Sequence, residues 1–370
     1  MLSKAAAYPP AQTAHRAPHC LTRPIDPYTM TRVDLNAVSR WITAAAVHCS
    51  TSLRDELVLR TAATPRRASR LLRELVLAHR QVREGSQHKP LYRPGLQRQV
   101  VREYALANLQ EDLPWAGDFA PLVALPPALH RLLQHAFQKL LNNAIDHSEG
   151  QRVTISLRQT PSHVHLLVSD DGCGLFDKLR ACMGLPDTPK AMLHLSRGRL
   201  TTAPDHHRGH GLFFTARLAD VFDVHADGEA LRRSSWQDGS WQPVRALVIH
   251  GASVFVGIAV DIPRTLEGVL TSNSLNGISH ALERTPLPLR LVQSARVALG
   301  SRAQARRLAD GLAAFREVGI DFACVDELGH GFADELFRVQ AGIMPSVELR
   351  AITMSSGVAA LLHSVGVPQA

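Results

Sequence analysis

Lys139, Asn143 and Asp146 stand at i, i+4 and i+7 in the run Lys139-Leu-Leu-Asn-Asn-Ala-Ile-Asp-His-Ser148. That spacing puts them on one face of a helix. The Asn143 amide oxygen is a hard-metal ligand, so the line suits a Mg-phosphate site. A solvated helix face explains it equally well. A second candidate is Asp170-Asp171-Gly172-Cys173-Gly174. Two glycines there permit close approach of backbone to a ligand. An acid at a strand end can accept from an adenine amino group, although the pattern alone is common in turns. The third candidate is Gly209-His210-Gly211, ahead of an apolar stretch reaching Leu218. A glycine-rich turn opening a helix offers free N–H groups and a favourable dipole to phosphate; the bland alternative is a surface loop and a cap. The preceding stretch, Thr201 to Arg208, reads as a lid, and Thr201 and Thr202 count with the nucleotide-binding residues.

These groups need elements to hold them. Leu133, Phe137, Leu140, Leu141, Ala144 and Ile145 recur at helical spacing, which predicts a helix from about Ala128 to His147 with this stripe buried. Val164, Leu166 and Val168 alternate between His163 and Ser169, which predicts a strand running into the acid-glycine turn. Ala246 to Ile262, interrupted by His250, Gly251 and Ser253, reads as two strands and a turn.

Three weak motifs in fixed order are stronger than any one. From about residue 120 to 265 the chain resembles the ATPases of the DNA gyrase, heat-shock chaperone and histidine kinase type, the GHKL superfamily. The resemblance implies an α/β sandwich in which helices cover one face of a mixed sheet and ATP-Mg lies between them. By position it implies that Asn143 holds Mg2+, Asp146 lines the site and Asp170 recognises adenine. Gly172, Gly174, Gly209 and Gly211 would shape the pocket. Gly251 falls where the family has a late Gly-Thr pair, but Ala252 replaces the Thr, so one adenine-side hydrogen bond is in doubt. Hydrolysing members place a Glu four residues before the Asn as general base. Lys139 stands there instead, and an ammonium group cannot accept that proton. Glu149 and Asp171 are near in sequence but lack the helical register. The expectation is therefore ATP-Mg binding with weak or no hydrolysis, and no confident catalytic residue.

At 370 residues, 45% apolar and 20% charged, the chain has room for two or three domains. The expected architecture is α/β and multidomain. Residues 1–30 are expected as a disordered tail, 31–95 as a basic winged helix-turn-helix and 96–119 as a connector whose Trp115 packs onto the next domain. Residues 120–265 form the GHKL sandwich, 266–284 a linker and 285–370 a C-terminal STAS-like α/β domain. The formal charge of +8 is uneven, since Arg54 to Arg102 holds 12 Lys or Arg against 4 Asp or Glu. Thr64-Pro65 is a helix-start signal, and Leu71, Leu72, Leu75 and Val76 form the apolar face behind it. Gln81–Glu84 and Pro90–Arg93 read as a hairpin. In the DNA-binding reading, Arg66, Arg67 and Arg70 enter a major groove while Lys89 and Arg93 contact phosphate. The alternative is an arginine-rich solvated helix in a docking or dimerisation unit.

In the last unit, Ser301-Arg-Ala-Gln304 has the form of a capping box and opens a helix to about Phe315. Val318 to Val325 reads as a strand, Phe332 to Val339 as a helix and Val347 to Thr353 as a strand. This order resembles STAS-like domains found behind bacterial ATPase modules. Anti-anti-sigma members carry a phosphorylatable Ser at a turn that here is Gly329-His330-Gly331. Asp334, Glu335 and Arg338 make either a docking face or a local ion pair.

No apolar run reaches the roughly 18 residues of a membrane span, and the N-terminus lacks the pattern of a secretory signal. Five scattered cysteines fit a reducing cytoplasm. The whole suggests a nucleotide-responsive bacterial transcription regulator acting on duplex DNA, and a homodimer is compatible with it. The alternative is an anti-sigma-like serine kinase or protein-binding switch, with a sigma-factor-like or other regulatory partner and the basic unit used for docking.

Overall fold

The computed structural model describes residues 35–48, 50–198, 209–237, 239–293 and 298–367. The 1–30 stretch, Thr201 and Thr202 lie outside the described residues.

Three helices open the described chain: α1 (Leu35–His48), α2 (Leu53–Thr61) and α3 (Pro65–Leu77). Thr64 caps α3, its hydroxyl accepting from the Arg67 N–H at 3.3 Å. An antiparallel hairpin follows, β1 (Gln81–Gly85) with β2 (Pro90–Pro94). Val38, Ile42, Leu53, Leu57, Leu72, Leu75 and Tyr92 bury one another in a small core of their own.

The next stretch departs from expectation. Residues 98–105, placed in a connector, form β3 (Arg98–Ala105), an edge strand of the main sheet. Its half-exposed side chains follow no clean alternation, so the strand is specified by its partner, β4 (Arg152–Gln159), in register from Arg98 to Ala105. A short turn, α4 (Asp112–Pro114), leads into the π-helical Trp115–Phe119. Trp115 packs as expected, 5.2 Å from the Phe137 ring and 5.1 Å from that of His130.

The central helix α5 (Pro127–His147) buries Leu133, Phe137, Leu140, Leu141 and Ala144 as expected, with Ile145 only half buried. It lies against β5 (His163–Asp170), whose Val164, Leu166 and Val168 point inward. Two helices follow, α6 (Leu175–Met183) and α7 (Thr188–Arg197), then α8 (Gly211–Leu218). The sheet is completed by β6 (Val221–Ala226), β7 (Glu229–Ser234), β8 (Trp241–Pro243) and β9 (Ala252–Ala259). Strand order is β3-β4-β5-β9-β6-β7-β8. Every pairing is antiparallel, not mixed as the resemblance implied. Residues 246–262 supply one strand, β9, where two were expected. The part before β9 is a loop, and Gly251, with φ +79, turns the chain directly into the strand.

Residues 266–284, expected as a linker, contain the short helix α9 (Leu266–Thr271), which packs on α5 and α8. The last unit is a parallel sheet of β10 (Arg284–Pro288), β11 (Glu317–Asp321) and β12 (Glu348–Ile352). Its helices are α10 (Arg302–Ala309), α11 (His330–Asp334) running into the π-helical Glu335–Gln340 and α12 (Ala341–Ile343), and α13 (Ser356–Ser364). Ser301 and Gln304 make the full capping box. The helix stops at Ala309 instead of Phe315, because Gly311 turns left-handed at φ +74. β11 likewise ends at Asp321, short of Val325. Asp334 and Arg338 form the i,i+4 pair at 2.5 Å, while buried Glu335 accepts from Arg306 at 2.8 Å and ties α10 to the π-helical turn.

Candidate functional site

A cavity of about 440 Å3 opens between α5, α6, α8 and the end of β5. That is within the usual range for small-molecule sites. Lys139, Asn142, Asn143 and Asp146 line it from α5. The stripe opposite them is buried in the core, so helical geometry alone turns this line toward the cavity.

Asp170 closes one end. Its Oδ1 accepts the N–H groups of Gly172 at 3.0 Å and Ala252 at 3.2 Å. Its Oδ2 has no partner among the described residues. One carboxylate oxygen is thus fixed by backbone while the other remains for a donor in the cavity. Burial, with a smaller contribution from Asp171, raises the Asp170 pKa, and the two N–H bonds oppose that rise.

The glycines around it are sterically required. A Cβ on Gly251 would stand 2.3 Å from the Asp170 carbonyl oxygen, and one on Gly172 2.1 Å from that of Ser148. Three backbone segments therefore pass too close for any side chain. Gly174, at φ +74, faces Asp227, whose Oδ2 accepts the N–H groups of Phe176 at 2.9 Å and Asp177 at 3.0 Å. Asp227 so fixes the first turn of α6, a role its sequence did not announce.

Gly209 and Gly211 line the other end. Gly211 is the first residue of α8, and the Lys139 stem runs alongside, its Cδ 3.7 Å from where a Gly211 Cβ would be. Lys139 is thus at the helix N-terminus, where phosphate would be favoured. Neither sequence neighbour offers a replacement base. Asp171 accepts the N–H groups of Gln151 at 2.7 Å and Arg152 at 2.9 Å, and Glu149 pairs with Lys178. Neither Asp171 nor Glu149 lines the cavity.

Several lining residues are not signalled by the sequence motifs. His135 lies one turn before Lys139, and burial plus the Lys139 charge lower its pKa to about 4. Lys178 follows from α6, and Gly198 from the end of α7. Leu270 and His280 come from the supposed linker. Only the His135–Lys139 spacing was a signal available in advance.

The donors fit a nucleotide with its ion. Asn143 lines the cavity with an amide group, whose oxygen is of the type a hard cation takes, and the neighbouring Asn142 Oδ1 is buried without a partner among the described residues. Among the described residues no group of three or more His, Cys, Asp or Glu could hold a metal. A Mg2+ carried mainly by phosphates and water needs no such cage.

The candidate DNA contacts lie elsewhere. Arg66 and Arg70 are exposed on α3, with Arg67 half buried, and Lys89 and Arg93 are exposed at the hairpin. Arg70 pairs with Glu74 and Arg93 with Glu84, both at 3.1 Å.

The family model for histidine kinase-, DNA gyrase B- and HSP90-like ATPases matches residues 128–240. A STAS-like domain of unknown function matches residues 304–350. No curated protein matches the chain. Among the described residues no helix is long and apolar enough to cross a membrane. The chain therefore carries an ATP-binding domain of the histidine kinase, gyrase B and HSP90 type, followed by a STAS-like domain.

Proposed function

We propose that the chain is a nucleotide-responsive bacterial transcription regulator that holds ATP-Mg with little or no hydrolysis. The observation that carries the second half is Lys139, an ammonium group at the general-base position and beside Gly211. Asp170 would accept the adenine amino group, Asn143 would hold Mg2+, and Lys139 would meet phosphate charge. The ion, when bound, neutralises phosphate oxygens. A positioned base contributes roughly 10²–10⁴ in rate, so its loss separates binding from turnover.

ATP turnover by the purified chain is the test, with Lys139→Glu alongside. The unmodified protein is expected to bind ATP yet turn it over near background. The variant should gain turnover by a large part of that factor. Brisk hydrolysis by the unmodified protein would overturn the reading.

DNA binding is supported by three helices and a hairpin in winged-helix order, with Arg66, Arg67, Arg70, Lys89 and Arg93 on basic surface. A ligand shifts such an equilibrium only by its differential affinity for two states, so duplex affinity with and without ATP is the informative measurement. The second reading is an anti-sigma-like kinase or switch with the basic unit docking a regulatory protein. The ion pairs already made by Arg70 and Arg93 favour it, though exposed pairs are worth about 0–1 kcal/mol and break readily. Transfer of labelled phosphate to such a partner would decide for it. Switching by serine phosphorylation at Gly329-His330-Gly331 is disfavoured in either case. A Cβ on Gly329 would stand 2.5 Å from the Gly300 Cα, so the turn admits no hydroxyl side chain there.

A further inference from the structure

Arg197, the last residue of α7, is buried and points away from the nucleotide domain. Its Nη1 donates to the Asp310 carbonyl and its Nη2 to that of Leu308, both at 2.9 Å. Those carbonyls end α10 of the STAS-like domain, where a cation is favoured by the helix dipole. In return the Thr285 hydroxyl of β10 donates to the Arg197 carbonyl at 2.7 Å. Burial lowers the Arg197 pKa to about 10, with Asp310 opposing, so it remains charged at neutral pH.

The next residue continues the clasp. Gly198, at φ +76, is wedged so tightly that a Cβ would lie 2.7 Å from Leu282 and 2.9 Å from Phe213. Leu195 and Gly198, on either side of Arg197, line the nucleotide cavity, as do Leu270 and His280 from the segment leading into β10. One wall of the cavity is thus built on a mount supplied by the STAS-like domain.

We propose that the STAS-like domain is a working part of the nucleotide site: through Arg197, Thr285 and Leu282 it sets the cavity wall at Leu195 and Gly198, and nucleotide binding is linked to the state of the α10 C-terminal turn. This rests on the reading that the cavity takes ATP. Arg197 and Thr285 act as positioning residues. Linkage is reciprocal, so a protein engaging the end of α10 changes ATP affinity by the factor through which ATP changes its own.

The experiment uses the full chain with ATP and Mg2+. ATP affinity is titrated for the unmodified protein, Arg197→Lys, Thr285→Val and Ser301→Ala, and amide hydrogen exchange is followed with and without ATP. Saturating ATP should slow exchange in β10 and the last turn of α10. Arg197→Lys keeps a cation but cannot reach two carbonyls with a planar fork, and Thr285→Val removes one hydroxyl. Both should weaken ATP by roughly 5–50-fold, within the usual range of coupling between sites, and should lose the remote slowing. Ser301→Ala destabilises the same helix from its far end and should leave ATP affinity unchanged. ATP binding with no change of exchange in β10 and α10 would overturn the proposal. So would unchanged affinity in both clasp variants, or equal weakening by Ser301→Ala. If Arg197→Lys does not fold, Thr285→Val and the exchange data still decide. Absence of any ATP binding by the unmodified chain would instead overturn the reading of the cavity, and the proposal with it.

Discussion

At Asp170 recognition and folding pull in opposite directions. Its carboxylate is held by two backbone N–H groups and, in the proposed function, accepts from adenine, yet burial raises its pKa from the ordinary 3.8. The unfolded chain therefore binds fewer protons than the folded one, and stability falls as pH rises from about 3.8 through the raised value. Asp170→Asn keeps an oxygen for Gly172 and Ala252 but puts a donor where adenine presents one. It should weaken ATP by 10-fold or more, since hydrogen bonds to charged groups are worth about 1.5–3 kcal/mol. It should also melt no lower than the unmodified protein at pH 7, an advantage that disappears near pH 3. Titration and thermal melts check both halves. His135 and His194 work with the opposite sign. Burial lowers each from 6.5 to about 4, helped by Lys139 and Arg197 respectively. Their contribution is full above pH 6.5 and is lost as pH falls toward 4. The double variant His135→Gln, His194→Gln should flatten that acid limb in a pH series of melts; an unaltered slope would count against it.

Among the elements, the turn after β5 is crowded by neighbouring backbone at Gly172 and Gly251, and the end of α7 by the side chains of Leu282 and Phe213 at Gly198. Gly198→Ala would force a residue to φ +76 and drive a methyl group into Leu282 and Phe213. Left-handed strain and overpacking together cost about 2–5 kcal/mol. A drop of several degrees in the melting temperature is expected, with ATP affinity reduced in the folded fraction. Gly184→Ala makes a suitable comparison, because Gly184 has φ +63 but open space around its Cβ position. It carries the backbone strain without the collision, so an equal loss in both variants would show that the wedge between Leu282 and Phe213 contributes nothing.

For the whole molecule, three units share one chain, but their cores are divided differently from the domains. The N-terminal helices have a core of their own, whereas the nucleotide and STAS-like units share a continuous one. Cooperative unfolding of the latter two is expected, with the basic unit able to melt separately. If that unit binds duplex DNA, removing the phosphate-contact candidates Lys89 and Arg93 together should reduce the slope of log affinity against log salt by about 2. Filter binding across a salt series measures it. No affinity at low salt would leave the docking reading.

By itself the sequence determined the features that depend on local chemistry. The α5 stripe, the Thr64 cap, the Ser301–Gln304 box and the Asp-x-Gly-x-Gly turn were legible because periodicity, caps and turns involve residues within a few positions of one another. The same holds for Lys139, whose place relative to Asn143 is one turn of helix. Tertiary structure decided whatever depends on a distant partner. β3 is a strand because β4 pairs with it, and residues 266–284 form a cavity wall because α9 lies on α5 and α8. Arg197 could have been any solvated arginine at a helix end; its acceptors lie 111 and 113 residues along the chain. The nucleotide chemistry was written locally, and its attachment to the STAS-like domain arises only when the chain is folded.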